Sequence, residues 1–474
     1  MRSTKLYNAL IQLDGYEFNR LHRFLLSPYF NRSESIVLLF EWIKNDLKDS
    51  DKAELSKEEI WQKIITPPEP FDDGRFRKLQ SDLLKLVEEY YAQETFEANP
   101  IHKAKYLLEA ILERRLDKLE SSAIKTVQNL SENQKLKPAS YYFYQYEIEQ
   151  SKYDLSKYPI GRSSKFNIED IAINLDRFYL AEKLRYYCTI LSHQRKVALD
   201  YNMLFINEII QHVEEQGYQD VPPIRMYYQI LQTYKFPENR IHYDNLRILI
   251  TKYIHYFPES QVKEILDATF NYCVLKSNSG FPEFVRELFN LYIESLENKS
   301  ILVKGQITPW SFKNIVTAGL RLKEFDWVEK FISNYGFFLE PNLRKNATTF
   351  SMAQFYFYKK DYNNVIGLLS KVEYNDLTYN LDSKTLLMAS YYELDAIEAL
   401  GSFLETFRVY LSRNKELTTL SRKHYLNTIN IVRKLAKISP KDKKEIEKLQ
   451  AEVLNTQGVV SKNWILEKLA LLNK

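Results

Sequence analysis

The chain has 474 residues, of which 45% are hydrophobic and 27% are charged, with only 11 glycines and 15 prolines. So few turn-forming residues predict long regular elements. The length exceeds the roughly 250–300 residues that one core organises, so several domains or a stacked repeat are expected. The net charge is +4, and residues 1–100 carry 14 Lys and Arg against 18 Asp and Glu, whereas residues 421–474 carry 12 against 5. The sequence therefore has no global basic face, and its basic end is either a solvated helix face or a contact for an acidic partner.

The chain shows no targeting or membrane signal. Residues 1–18 contain a short apolar stretch broken by Asn8 and Gln12, with no cleavage site of small residues after it, so no signal peptide is expected. No uninterrupted apolar run approaches the ~18 residues of a spanning helix. Cys188 and Cys273 are too far apart for a disulfide framework or a zinc site. They predict buried thiols in a reducing compartment, and the expected location is the cytoplasm.

Residues 1–98 predict a compact helical N-terminal unit. Turn-rich gaps at 27–31 and 66–70, each with proline, divide it. Alternating runs rich in Val, Ile and Thr are absent from the chain, so no sheet is predicted. The helical period is clearest where apolar residues recur at spacings of three and four, which places them on one helix face: Phe76, Leu79, Leu83, Leu86, Val87 and Tyr90.

Within this unit, residues 55–91 form a predicted helix–turn–helix. The segment resembles the front half of the winged-helix domain of bacterial transcriptional activators that carry helical repeats behind it. The resemblance implies that four cations face DNA: Arg75, Arg77, Lys78 and Lys85. No strand-rich wing follows, and the region is acidic overall, whereas phosphate contact needs a basic surface. An ordinary helical hairpin is the alternative interpretation.

Residues 99–305 predict an array of long helices with an irregular gap at 157–165. Tyrosine and phenylalanine are abundant, with 35 and 27 copies, and they cluster at 141–146 and 355–358. Such runs place rings on every side of a helix. They indicate either filler between helices, with hydroxyls reaching the rim, or a ring-lined groove for a peptide or for stacked bases.

Residues 306–474 carry a repeat signal. Three copies each have an apolar helix, a short turn and a second apolar helix. The first helices contain 314–320, 351–356 and 386–392, and the second helices contain 328–332, 365–369 and 397–404. Phe325 and Tyr362 are 37 residues apart, and Ala353 and Ala389 are 36 apart. Periods of this size predict stacked helix pairs.

At residues 309–412 the chain resembles the tetratricopeptide repeat family. Ala353 and Ala389 are small residues where the two helices of a pair would cross, and Asp361-Tyr362 matches the acidic-aromatic turn. Val328 and Val365 replace the usual alanine of the second helix. The resemblance implies an all-α fold in which the N-terminal unit is followed by a right-handed α-solenoid of stacked helix pairs. Helix pairs that cannot bury an apolar face alone must stack in any case.

In that family the first helix of each pair lines the binding surface. The resemblance therefore implies that a protein or peptide partner contacts five residues of the first two copies: Lys313, Asn314, Arg321, Gln354 and Tyr358. A subgroup of the family clamps a C-terminal carboxylate with basic residues of its third repeat. The matching positions here are Ser383 and Leu387, so that activity is not implied.

The last predicted helix, within 459–472, is too apolar for a solvent-facing cap. It contains Val459, Val460, Trp464, Ile465, Leu466, Leu469, Leu471 and Leu472. We expect it to dock back on the repeats or to make a self-association contact.

No catalytic constellation is apparent in the sequence. The closest glycines, Gly305 and Gly319, are 14 residues apart, which excludes phosphate-binding loops and a Gly-x-Ser-x-Gly elbow. No two of the seven histidines have the spacing of a zinc protease, and no cofactor or metal is predicted. The expected function is a non-enzymatic scaffold or adaptor that binds a protein or peptide. The alternatives are a DNA-linked regulator that uses residues 55–91 and an enzyme with an unrecognised site.

Overall fold

The computed structural model describes residues 2–48, 55–65, 67–156, 167–194, 201–370, 377–439 and 442–473. These ranges form 23 α-helices and two single 3₁₀ turns, and they contain no strand, so the all-α prediction is confirmed. One isolated antiparallel bridge pairs Val303 with Gln306. Among the described helices, none has the length and apolarity to cross a membrane. The gap predicted at 157–165 lies outside the described residues, as does Thr66 in the predicted gap 66–70.

Two compact units divide the chain between Lys183 and Leu184. The sequence boundaries at 98 and 305 do not mark this position and stay predictions. The helices of the first unit are α1 (Lys5–Leu10), α2 (Gly15–Leu26), α3 (Glu34–Lys48), α4 (Lys57–Ile64), α5 (Asp73–Glu97), α6 (Pro100–Arg114), α7 (Asp117–Glu132), α8 (Ala139–Ser156) and the first part of α9 (Ile168–Gln194).

Apolar clusters pack the described helices of the first unit. One lies among α1–α5 and is built around Phe40, Trp61 and Phe76, which are fully buried. Another lies among α6–α8 and includes Leu108 and Val127. Helix starts follow local chemistry, since Ser56 caps α4 in a reciprocal pair with Glu59 and the side chain of Asp72 accepts from the amide of Arg75.

The second unit is a chain of helices in which each one contacts the next. Its helices after α9 are α10 (Ile206–Gln216), α11 (Pro222–Lys235), α12 (Arg240–Tyr253), α13 (Glu259–Asn278), α14 (Glu283–Glu297), α15 (Pro309–Arg321), α16 (Phe325–Tyr335), α17 (Pro341–Tyr358), α18 (Tyr362–Leu369), α19 (Leu377–Glu393), α20 (Ile397–Arg413), α21 (Thr419–Leu435), α22 (Lys443–Asn455) and α23 (Lys462–Leu472). Contacts also join alternate helices, α11 with α13, α15 with α17, and α17 with α19. This packing is consistent with a helical repeat.

The three predicted copies correspond to the pairs α15/α16, α17/α18 and α19/α20. Each pair is joined by the same turn, with Lys323, Lys360 or Asp395 in the left-handed backbone region. In the first turn the amide of Glu324 donates to the carbonyl of Gly319 and the amide of Lys323 to that of Leu320, and both bonds recur in the other two turns. This Schellman arrangement satisfies carbonyls that the helix end leaves free. The turns therefore repeat in backbone geometry more closely than in sequence.

The small and branched residues noted in the sequence lie inside the pairs. Ala353, Ala389, Val328 and Val365 are buried. Gly319 allows the closest approach, because a Cβ built there would lie 2.5 Å from Cγ2 of Val328. Helices α15 and α16 therefore touch at a position that has no room for a side chain.

Candidate functional site

A cavity of about 430 Å³ opens between the first helices of the three pairs and the start of α23. We call it the first-helix cavity. It lies within the second unit, and α15, α17 and α19 supply most of its wall. Its lining consists of Lys313, Asn314, Thr317, Phe350, Gln354, Phe357, Tyr358, Asp382, Thr385, Leu386, Met388, Ala389, Val460, Ser461 and Trp464.

Four of the five residues predicted to bind a partner line this cavity. Lys313 and Asn314 come from α15, and Gln354 and Tyr358 come one helical turn apart from α17. Helix α15 begins at Pro309 after Thr308, whose hydroxyl accepts from the amide of Ser311 at 3.1 Å. The resemblance thus selected side chains that the fold brings together.

Two amide side chains in the cavity retain hydrogen-bonding capacity. Gln354 donates through Nε2 to Oγ1 of Thr317 at 3.4 Å, whereas its Oε1 is buried and has no partner among the described residues. For the side chain of Asn314, the described part of the chain supplies no hydrogen bond within the site. A buried acceptor without a donor costs about 1–3 kcal/mol.

Lys313 is held within the wall rather than presented outward. Its Nζ lies 2.5 Å from Oδ2 of Asp382 on α19, and only 12% of the side chain is exposed. The same Nζ lies 4.5 Å from the ring centroid of Trp310. The ion pair ties the first copy to the third, so Lys313 contributes structure as well as charge.

Tyr358 lies at the mouth of the cavity, and Arg321 lies beside it. Tyr358 is 40% exposed. Burial raises the pKa of Tyr358, the nearby Arg321 guanidinium opposes that shift, and the Glu467 carboxylate adds to it. Arg321 itself does not line the cavity, and its Nη2 donates to Oγ of Ser277 on α13 at 2.9 Å. The fifth predicted residue is therefore adjacent to the cavity but directed to another helix.

A second cavity, of about 410 Å³, lies among α9, α11, α13 and α15 and shares Asn314 with the first. Its charged groups are paired within the wall, with Arg185 Nη2 to Glu264 at 2.8 Å and Lys263 to Asp267 at 2.5 Å. Because these charges already neutralise each other, this cavity offers a ligand less unpaired polarity than the first.

The aromatic residues at 355–358 include both filler between helices and lining of a groove. Phe355 is buried in the core, whereas Phe357 and Tyr358 line the first-helix cavity. Ser383 and Leu387, the third-copy positions of the carboxylate clamp, are both buried and supply no cation.

The candidate DNA contacts of the first unit are exposed residues of α5, and three of the four are paired with acids. Arg75 lies 2.5 Å from Glu69, and its guanidinium is 5.3 Å from the ring centroid of Trp61. Arg77 lies 2.5 Å from Asp73, Lys85 lies 4.0 Å from Asp82, and Lys78 is exposed. Counterion release on phosphate binding is reduced for cations that an intramolecular carboxylate already neutralises.

Compared with protein-family models, with curated proteins and with solved structures, the chain matches none.

The cysteines and the metal-ligating side chains give no sign of a reactive centre in the described residues. Cys188 and Cys273 are both buried. Burial raises the pKa of Cys188, and it raises the pKa of the Cys273 thiol to about 12. Thiols of this kind are poor nucleophiles at neutral pH. In the part of the chain that the structure describes, no three residues of the metal-ligating types lie together.

Sequence reasoning missed the residues that close the cavity from the C-terminal side. Val460, Ser461 and Trp464 line it, although they are more than 100 residues from Gln354. The apolar character of 459–472 was the signal, and it predicted that the segment docks back on the repeats or makes a self-association contact. The sequence does not specify the surface against which this helix packs, because a helix with an apolar face fits any apolar surface of matching shape.

Proposed function

We propose that the second unit is a non-enzymatic binding module whose first-helix cavity receives a protein or peptide. The helix pairs stack as a right-handed, tetratricopeptide-like solenoid, and the first helices form its concave side. The module acts as a scaffold or adaptor in the cytoplasm. The observation that carries the proposal is that Asn314 of α15 and Gln354 of α17 line one cavity, with Oε1 of Gln354 unpartnered among the described residues.

This arrangement suits a polypeptide for a chemical reason. Each side-chain amide has one acceptor and two N–H donors, which match the carbonyl and N–H of a peptide unit. The apolar lining from Phe357, Leu386 and Met388 accommodates aliphatic or aromatic side chains beside them. Apolar burial then contributes affinity, and the amides contribute orientation.

The test compares partner capture by three tagged, full-length proteins. These are the wild type, the double variant Asn314→Ala with Gln354→Ala, and the matched control Asn363→Ala, which removes an exposed amide from α18 of the same copy. Lysate of the host is treated with nuclease, and captured proteins are quantified by mass spectrometry. We expect a partner that survives nuclease, falls roughly 10-fold or more with the double variant, and is unchanged with the control.

Two results would contradict the proposal. One is capture that depends on nucleic acid, which would favour the α4–α5 hairpin as the functional surface. The other is a partner that the double variant retains in full. Charge reversal of Lys313 is unsuitable for this purpose, because it would break the Asp382 pair inside the wall and disturb the packing of α15 on α19.

A further inference from the structure

The last helix folds back onto the repeats, where Glu393 holds it. Nε1 of Trp464 donates to Oε1 of Glu393 at 2.7 Å, and Nζ of Lys468 lies 2.6 Å from the same oxygen. Trp464 also packs edge-on against Tyr392, with ring centroids 5.5 Å apart. The side chains of Lys468 and Glu393 are only 14% and 13% exposed. Trp464 and Lys468 are four residues apart and therefore share one face of α23.

Glu393 lies at the end of α19, close to residues of two other helices. Burial raises the pKa of Tyr362 to about 12, and the nearby Glu393 carboxylate adds to the shift. Tyr362 begins α18, Glu393 ends α19, and Trp464 and Lys468 belong to α23. One carboxylate thus receives both donors from α23 and lies near the tyrosine that begins α18.

The segment that leads into α23 is tied to α21 through its backbone. The amide of Val460 donates to Oγ1 of Thr428 at 2.8 Å, and Nδ2 of Asn427 donates to the carbonyl of Gln457 at 3.2 Å. Gly458 and Ser461 have positive φ angles of 70° and 56°. The chain therefore turns sharply between α22 and α23, and this turn directs Trp464 to the first-helix cavity.

Three properties make α23 separable from the rest of the unit. It is 11 residues long, and a helix of that length is marginal without packing. Only Ile465 and Leu469 of this helix are completely buried. The helix that its backbone contacts most is α22, so its release leaves the contacts of α15, α17 and α19 with one another in place.

We infer that α23 is a displaceable internal ligand of the surface that Tyr392 and Glu393 form beside the first-helix cavity, and that the external partner is an amphipathic helix with a tryptophan and a cation four residues later. The second half of this inference rests on the proposed function. The partner's tryptophan takes the place of Trp464 against Tyr392, and its cation pairs with Glu393. A helix laid in a groove by one aromatic anchor and one charge is a common mode of recognition. The internal helix competes at high effective concentration, so the closed protein binds external helices weakly.

The first experiment measures native-state hydrogen exchange of the full-length wild type at low denaturant. We expect the amides of α23 to exchange through a local opening, at least 10-fold faster than those of α19 and α21. Glu393→Gln should accelerate α23 further and leave α11 and α13 unchanged. Exchange of α23 at the same rate as α21, with the same denaturant dependence, would overturn the inference.

The second experiment titrates a fluorescent peptide of residues 459–473 into full-length proteins. Lys468→Glu in the protein weakens its own α23 but leaves the side chains of Tyr392 and Glu393 unchanged. We expect this variant to bind the wild-type peptide at least 10-fold more tightly than the wild-type protein does. Lys462→Glu is the matched control, because Nζ of Lys462 donates to the carbonyl of Leu454 and not to Glu393, and it should behave as wild type.

A charge exchange between peptide and protein distinguishes specific docking from nonspecific binding. The peptide with Lys468→Glu should not bind the Lys468→Glu protein, and it should regain binding to a protein with Glu393→Lys. Equal affinity of wild-type and Lys468→Glu proteins for the wild-type peptide, or binding to neither, would refute the internal-ligand assignment. If partner capture is still lost with the Asn314 and Gln354 variants in that case, the proposed function stands and only this inference fails.

Discussion

At the scale of single residues, the turns of the three copies store backbone strain. Lys323, Lys360 and Asp395 occupy the left-handed region at φ of 61°, 63° and 54°. Glycine takes this conformation freely, whereas a residue with a Cβ pays roughly 1–2 kcal/mol for it. The Schellman hydrogen bonds compensate for the strain, and they explain how the turns form in a stretch where glycine is absent.

Lys360→Gly should therefore stabilise the protein by about 1 kcal/mol. Lys360 is exposed, so its substitution leaves the packing unchanged. Lys359→Gly is the matched control, because Lys359 has a φ of −77° at the C-cap of α17 and gains nothing from glycine. It should destabilise by about 1 kcal/mol, as glycine does in helices. Urea unfolding followed by circular dichroism measures both, and two changes of the same sign would contradict the argument.

A second residue-scale prediction concerns pH and the Asp46 site of the first unit. Hydrogen bonds from the Arg2 guanidinium and the Tyr7 hydroxyl, at 2.9 and 2.8 Å, hold the pKa of the Asp46 carboxyl below its usual range, although burial opposes the shift. A lowered folded-state pKa contributes stability above the unfolded value of about 4, and this stability is lost as the pH falls through the folded value.

Asp46→Asn should remove that contribution. We expect a loss of about 2 kcal/mol at pH 7, because hydrogen bonds to a charged group are involved, and a smaller difference between variant and wild type as the pH falls from 5 to 3. Urea midpoints measured across this range provide the check. A difference that stays constant from pH 7 to pH 3 would show that the carboxylate charge is not the cause.

At the scale of elements, the approach of α15 to α16 is limited by Gly319. A Cβ there would meet Cγ2 of Val328 at 2.5 Å and Cε2 of Phe289 at 3.1 Å. Phe289 belongs to α14, so the same position sets the spacing of three successive helices. Close-packed interiors resist even one added methyl group when the neighbours are themselves buried.

Gly319→Ala should destabilise the protein by about 1–3 kcal/mol. Val328→Ala removes the methyl group that clashes, so the double variant should lose less than the sum of the two single variants. Gly367→Ala in α18 is the control, because nothing lies within 4 Å of its Cβ. It should gain up to about 1 kcal/mol from helix propensity. Thermal unfolding of the four variants measures the coupling, and strict additivity would show that the helices move apart freely.

At the scale of the whole molecule, most contacts in the second unit join neighbouring helices. Backbone contacts join successive helices, while the pairs Lys313–Asp382 and Trp464–Glu393 add side-chain contacts between more distant ones. Two of its apolar clusters meet near α19, one extending from Tyr243 to Leu387 and the other from Leu381 to Leu469. In such an array each element is stabilised by its neighbours, and damage to one cluster spreads only partly to the other.

We expect Phe407→Ala to destabilise its own cluster more than the neighbouring one. Phe407 of α20 is buried beside Phe403 and Tyr425, and its truncation should cost about 3–5 kcal/mol. Hydrogen exchange should accelerate in α20, α21 and α22, while α11 and α12 retain their protection. Uniform acceleration of the second unit would show that it unfolds as one cooperative body instead.

Much of the local structure was accessible from the sequence. The period of 3.6 residues and the scarcity of glycine and proline determined the all-α class, because they act within single helices. The spacing of the copies identified three helix pairs, and the resemblance selected Asn314, Gln354 and Tyr358, which one cavity brings together. These features depend on residues that are a few positions or one repeat apart, and their spacing can be read directly from the sequence.

Other features were decided by tertiary structure alone. Three contacts join residues that are 9 to 75 positions apart. They are the ion pair of Lys313 with Asp382, the close approach of Val328 that requires glycine at position 319, and the docking of Trp464 and Lys468 on Glu393. Hydrophobic burial is non-directional, so an apolar helix such as α23 determines that it must pack but not against which surface. Shape, a buried charge and the available partners in three dimensions make that choice.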